Sequence, residues 1–175
     1  MNYFEFYDVP VDLNVDKTAL KKTFYKNSKK YHPDFYTMES EEKQAEILEK
    51  STLNNEAYQV LSDFDRRLKY LLMMKGMMEE EGQNNSLPQD FLMEMMDINE
   101  AIMELEFDHD KQTYQNALQS AQSLESSLNE EIQPIIDQYN DATATEKDLE
   151  MLKTFYLKKK YLLRIYENLS KFAPA

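Results

Sequence analysis

KTALKKTFYKNSKKYHPD, Lys17 to Asp34, decides the reading of this chain: six lysines on one stretch of fourteen residues, then His-Pro-Asp. At about 100° per residue on a helix, Leu20, Phe24, Asn27 and Tyr31 share one side. Lys22, Lys26, Lys29 and Lys30 fall roughly opposite. Asp16 can cap such a helix, because its carboxylate accepts from free backbone N–H groups of the first turn. Pro33 disfavours helical geometry at His32, so the helix should stop near Tyr31. The apolar stripe needs a neighbouring helix. The lysines form a surface of one sign, and Lys22/Lys26 and Lys26/Lys30 repel as i,i+4 pairs. An ordinary solvated face is the plainer alternative, but ordinary faces mix both signs, and an uncompensated repulsion points to an acidic partner.

Composition narrows what surrounds this stretch. The 175 residues include no Cys, no Trp, two Gly and five Pro. Few turn formers imply long helices. Without Cys there is no disulfide, thiolate metal site or cysteine nucleophile. Nor is there a Gly-rich phosphate loop. A net charge of −13 argues against binding nucleic acid or an anionic membrane. No apolar run reaches the length of a membrane span. The first residues, MNYFEFYDVP, lack the features of a signal or transit peptide, and a cytoplasmic location is expected.

Further along, helices are expected from about Glu41 to Leu61, Phe64 to Lys75, just after Ser86 to Phe107 with Pro88 in the first turn, and Asp110 to Tyr139 with a kink or break at Pro134. Ser86 and Gln89 read as a capping box, and Thr145 with Asp148 opens a last helix ending near Phe172. Residues 1–75 carry 12 basic and 13 acidic groups, and residues 76–175 carry 8 and 20. That shift coincides with the Gly, Asn, Ser and Pro cluster of 76–88. The expected organisation is therefore one domain over 1–75, a linker over 76–88 and a second domain over 89–175.

His32 beside Asp34 is weak evidence of chemistry, since a metal or nucleophile site needs more groups than these. The order of elements is more specific. A lysine-rich helix, His-Pro-Asp, a second helix and then Asn55-Glu56-Ala57-Tyr58-Gln59-Val60-Leu61-Ser62-Asp63 with Arg66 and Arg67 resemble a J-domain of the DnaJ family. Phe64 stands where that family has Pro. The resemblance implies an antiparallel helix hairpin with short helices, and activation of a DnaK-class chaperone ATPase. Lys22, Lys26, Lys29 and Lys30 would meet an acidic surface of the chaperone, while His32, Pro33 and Asp34 would form the loop that triggers hydrolysis.

In the second half, PQDFLMEMMDINEAIMELEFDHD, Pro88 to Asp110, has eight acids and no Lys or Arg. On a helix Phe91, Met95, Ile98, Ile102 and Leu105 make a sufficient core stripe. Leu92, Met96 and Met103 lie about a third of a turn away, with Met93 just beyond and Asp97, Glu100 and Glu104 bordering. Either the helix packs on two sides, or this strip is a groove for a client; Met is frequent on protein-binding surfaces. The last helix places Leu149, Leu152, Tyr156 and Leu163 on one face with Phe155 and Tyr166 beside it, and together the helices suggest a three-helix bundle.

The whole chain is similar to the HscB-type co-chaperones of iron–sulfur cluster assembly, through Tyr70-Leu71-Leu72 and Phe91-Leu92-Met93-Glu94-x-Met96. The implied fold is all-α, a J-domain joined to a C-terminal three-helix bundle. The implied partners are an HscA/DnaK-class ATPase and the scaffold protein IscU. The implied client patch is Leu92, Met93, Met96, Asp97, Glu100 and Glu104, with Phe155 as a looser addition. No cofactor, metal or catalytic residue of its own is expected, and the Cys-based zinc module of some members is expected to be absent. Three alternatives remain: a J-domain protein with another client, an enzyme using His32 and Asp34 or Asp108-His109-Asp110, and a purely structural helical adaptor.

Overall fold

The structure, a computed structural model, describes residues 1–79 and 86–174. The described residues contain helices and no strand: α1 (Tyr3–Phe6), α2 (Lys17–Lys30), α3 (Glu41–Ser62), α4 (Phe64–Met74), α5 (Gln89–Phe107), α6 (Lys111–Asp137) and α7 (Glu146–Ser170), with a 3-10 turn over Pro33–Tyr36. They form two compact units, Met1–Met74 with Tyr139–Thr143, and Lys75–Gln138 with Ala144–Ala175. Residues 80–85 of the expected linker lie outside the described residues. Gly76, just past α4, has φ +71°, a left-handed conformation that glycine adopts without strain when it ends a helix.

In the first unit α2 packs on α3, and α1 and α4 close over α3. Phe4, Tyr7, Leu20, Ala57 and Leu61 are the buried centre. Phe24 stacks on Tyr58 at 4.5 Å and Tyr3 on Tyr70 at 4.5 Å. One buried polar cluster fixes α2 on α3. Asn54 Nδ2 donates to the Phe24 carbonyl and to Ser28 Oγ, each at 3.2 Å. Tyr7 Oη donates toward Asn54 Oδ1 at 2.9 Å and the Asn54 carbonyl at 3.0 Å. Burial, with a smaller push from Tyr58, drives the Tyr7 phenol well above its usual range, so it stays a donor. Buried polar groups satisfied in this way specify one docking geometry, because any slip leaves them unpaired. Arg67 is buried too: its Nε donates to the Leu13 carbonyl at 2.9 Å and a second guanidinium N–H donates to the Leu61 carbonyl.

In the second unit α5, α6 and α7 pack mutually around Phe91, Met95, Ile98, Ile102, Leu105, Ala117, Ala121, Leu162, Ile165 and Leu169. Each large apolar side chain removed from water contributes roughly 1.5–3 kcal/mol, which outweighs the helices' polar composition. Asp16, Ser40, Asp110 and Thr145 cap α2, α3, α6 and α7 with side-chain oxygens.

Three expectations are corrected. The Ser86–Gln89 box does not form: Pro88 is the residue preceding α5, with no side-chain cap. Such a box would require Leu87 to be helical, and a residue before proline is pushed toward extended geometry. Pro134 does not break α6, which continues to Asp137 with Ile132 and Ile136 both buried. Leu163 is exposed, and Leu162, Ile165 and Leu169 take the core positions instead.

Candidate functional site

All six lysines of α2 are exposed, and Lys22, Lys26 and Lys29 lie on the side away from buried Leu20 and Asn27. None of them is ion-paired among the described residues. The lysines of α3 differ. Lys43 and Lys50 both bond Glu46, and hydrogen bonds from Lys50 and then Lys43 pull its carboxyl down to about 2. The lysines of α3 are thus paired within their own helix while those of α2 are left outward. A field of one sign in open solvent costs the helix some self-repulsion and attracts partners of opposite charge.

The loop after α2 is held from several directions. Tyr36 Oη donates to the Lys30 carbonyl at 2.6 Å. Gln44 Nε2 donates to the carbonyls of Thr37 and Glu39 at 3.2 and 2.9 Å. The Phe35 N–H donates to the His32 carbonyl at 3.1 Å, closing the 3-10 turn. His32 Nδ1 accepts from the Asp34 N–H at 3.3 Å. A nitrogen that accepts carries no proton, so His32 Nδ1, 3.8 Å from the Asp34 carboxylate, gives it no hydrogen bond. The Asp34 side chain is 84% exposed. Lys22, Lys26, Lys29, Lys30, His32, Pro33 and Asp34 therefore form one continuous exposed surface along α2 and its terminal turn.

Phe35 is 74% exposed and its ring lies 5.5 Å from that of His32. The sequence reading did not single it out. Its signal was a large aromatic ring in an otherwise polar turn.

On α5 the two stripes separate as the geometry requires. Phe91, Met95, Ile98, Ile102 and Leu105 are buried, whereas Leu92 is 40%, Met96 56% and Met103 62% exposed. Met93 and Phe107 are exposed as well. The helix therefore buries one face only, and the second strip is open. Glu100 borders the strip. Asp97 and Glu104 sit further round and, with Glu94, line a groove against Thr113, Asn116 and Ser120 of α6. Phe155 does not join the strip. It is 5% exposed and faces α6, lining a cavity of about 250 Å³ with Leu128 and Ile132.

No cluster of His, Asp and Glu able to hold a metal exists among the described residues, His109 stacks edge-on against Phe172, and no described helix is long and apolar enough to cross a membrane.

Comparison with known proteins agrees with this geometry. Residues 2–70 match the DnaJ domain, and residues 87–170 match the HSCB C-terminal oligomerisation domain. A co-chaperone HscB homolog from Psychromonas ingrahamii is 31% identical over 173 residues, spanning 96% of this chain and 98% of that one. Co-chaperone HscB of Buchnera aphidicola is 43% identical over 76 residues, 43% of this chain and 44% of that one. The crystal structure of human co-chaperone HscB superposes with a TM-score of 0.73 over 98% of this chain and 81% of that chain; at 23% identity it bears on the fold alone. Chaperone HscB from Vibrio cholerae gives a TM-score of 0.61 at 25% identity, covering 97% and 99% of the two chains. With both halves matched and a full-length relative above 30% identity, the chain belongs to the HscB family of J-domain co-chaperones.

Proposed function

We propose that this chain, acting from the cytoplasm, stimulates the ATPase of an HscA/DnaK-class chaperone and delivers to it an IscU-type iron–sulfur scaffold protein. The work is divided between a module over 1–75 and a module over 89–175, joined by 76–88. Lys22, Lys26, Lys29 and Lys30 attract an acidic face of the ATPase and speed its encounter. His32, Pro33 and Asp34 then bring one carboxylate to the ATPase on a rigid turn, where it can pair with a cation or polar network that controls hydrolysis. Phe35 adds an apolar contact beside it. Bond breaking belongs to the partner, so the chain is a regulator and not itself an enzyme.

The client is held by Leu92, Met93 and Met96, with Glu100 and, further round, Asp97 and Glu104 as an acidic margin that favours a basic partner. Phe155 serves that surface only indirectly, by packing under α7. The carrying observation is the run of uncompensated lysines ending at an exposed Asp34. The test is a single-turnover ATPase assay of the cognate chaperone with this chain, with the scaffold, and with both. Stimulation by the chain that rises further when the scaffold is added supports the reading. No stimulation under any of these conditions refutes it.

A further inference from the structure

The second half of the chain segregates its charge. From Glu146 to Lys171 it has seven basic and four acidic residues, whereas the remainder of 76–175 has one basic and 16 acidic. The placement of α7 gives this a consequence. Asn99 Nδ2 donates to Tyr161 Oη at 2.9 Å, and the Phe91 and Tyr161 rings meet edge-on at 5.7 Å. Towards the other end His109 meets Phe172 at 5.6 Å, so α5 and α7 run parallel.

On α5, Asn99 adjoins the strip of Leu92, Met96 and Met103, so the strip borders α7, and Glu100 marks its far edge. On α7, about 100° per residue puts Leu157 and Arg164 on the solvent side of Tyr161, opposite buried Leu162 and Ile165. Lys160 lies a step further round. Arg164 and Lys160 are exposed, and neither they nor Glu100 is ion-paired among the described residues. The apolar strip thus runs between an acidic edge and a basic edge, neither neutralised within the fold.

We infer that Arg164, backed by Lys160, is the second edge of the client-docking strip. The strip accepts a protein face with an apolar centre, basic groups on the side facing Glu100 and acidic groups on the side facing Arg164. The inference rests on the reading of the α5 strip as the client site. An acidic rim alone would attract a basic client in either direction. Opposed edges admit one direction, because the reversed pose sets like charges together on both sides.

Isothermal titration of the full chain with the organism's IscU-type scaffold, at low and at high salt, tests this. Arg164→Glu is expected to weaken binding about ten-fold at low salt, with the difference shrinking as salt rises. Lys147→Glu makes the same charge change on the same helix, about 20 Å along it from Tyr161 and beside the α6 cavity. That variant is expected to bind within about two-fold of wild type. Equal weakening by both variants reduces the effect to net charge and overturns the inference, as does wild-type affinity for Arg164→Glu. A wild-type chain that does not bind the scaffold at all overturns the strip reading first, and this inference with it.

Discussion

His32 Nδ1 accepts the backbone N–H of Asp34 at 3.3 Å, so the imidazole holds the turn and leaves the carboxylate to solvent. The His-Pro-Asp order follows from this relationship. Proline ends the helix and sets φ, histidine closes the turn from within, and aspartate is left with an open carboxylate. Replacing His32 with Gln keeps a side-chain acceptor but not its rigid placement. His32→Gln is expected to lower ATPase stimulation severalfold while leaving thermal stability unchanged, since the residue is exposed. A large fall in melting temperature would instead make His32 a structural residue.

The lysine face should act on association more than on the bound state. Lys22→Glu with Lys26→Glu is expected to slow association with the chaperone by roughly ten-fold at low salt and much less at high salt. Stopped-flow binding across a salt series checks this. An equal effect at all salt concentrations would mean the lysines make short-range contacts rather than a steering field.

The buried polar cluster makes a claim about stability. Asn54→Ala removes one of the two acceptors of Tyr7 Oη, leaving only the backbone carbonyl, and removes the donor to Phe24 and Ser28. Losing these bonds in a buried setting should cost about 2–3 kcal/mol in chemical denaturation. Because the cluster ties α2 to α3, the chaperone-facing surface should loosen too, seen as faster amide exchange along α2. Unchanged exchange on α2 would show that apolar packing alone fixes the helix pair.

The two stripes of α5 separate binding from folding. Leu92→Ala with Met96→Ala should weaken scaffold binding, spare basal ATPase stimulation and leave the melting temperature nearly unchanged, because both side chains are exposed. Met95→Ala, fully buried one residue away, should cost about 2–5 kcal/mol. If the Leu92/Met96 pair destabilised the fold as Met95 does, the strip would be packed in solution and unavailable to a client.

Two helix starts in the second unit carry a pH dependence of defined sign. Asp110 accepts from the Thr113 N–H and Asp148 from the Thr145 N–H, and these bonds hold both carboxyls below the usual aspartate value of 3.8. A carboxyl with a depressed folded-state value stabilises above its unfolded value, and that stability is lost as pH falls through the folded one. The melting temperature should therefore decline as pH drops below about 4. Asp110→Asn with Asp148→Asn keeps an acceptor at each position but removes the titration, and should flatten that decline. An unchanged slope would place the acid sensitivity elsewhere, with Glu46 as the next candidate.

Much of this was legible in the chain itself, for physical reasons. Asp16 and the Thr145–Asp148 pair announce helix starts because their oxygens have few other uses there. Leu20, Phe24 and Asn27 give the buried side of α2 because the helical period is fixed. The double stripe of α5 was legible for the same reason. Where the reading slipped, a second force acted. Pro88 restrains Leu87 and delays α5, which cap chemistry alone does not reveal. Leu163 was misplaced because α7 has apolar residues on most of its circumference, so its phase is set by α6 and α5 rather than by its own pattern. Arg164 and Phe35 were missed because a lone charge or ring acquires meaning only from its neighbours in space.

The most direct test of the central claim is single-turnover ATP hydrolysis by the cognate DnaK-class chaperone with wild-type chain and with Asp34→Ala, each checked for the same helical circular dichroism. The wild type should accelerate hydrolysis and Asp34→Ala should leave it at the basal rate. Equal acceleration by a correctly folded Asp34→Ala would contradict an activating role for the exposed carboxylate.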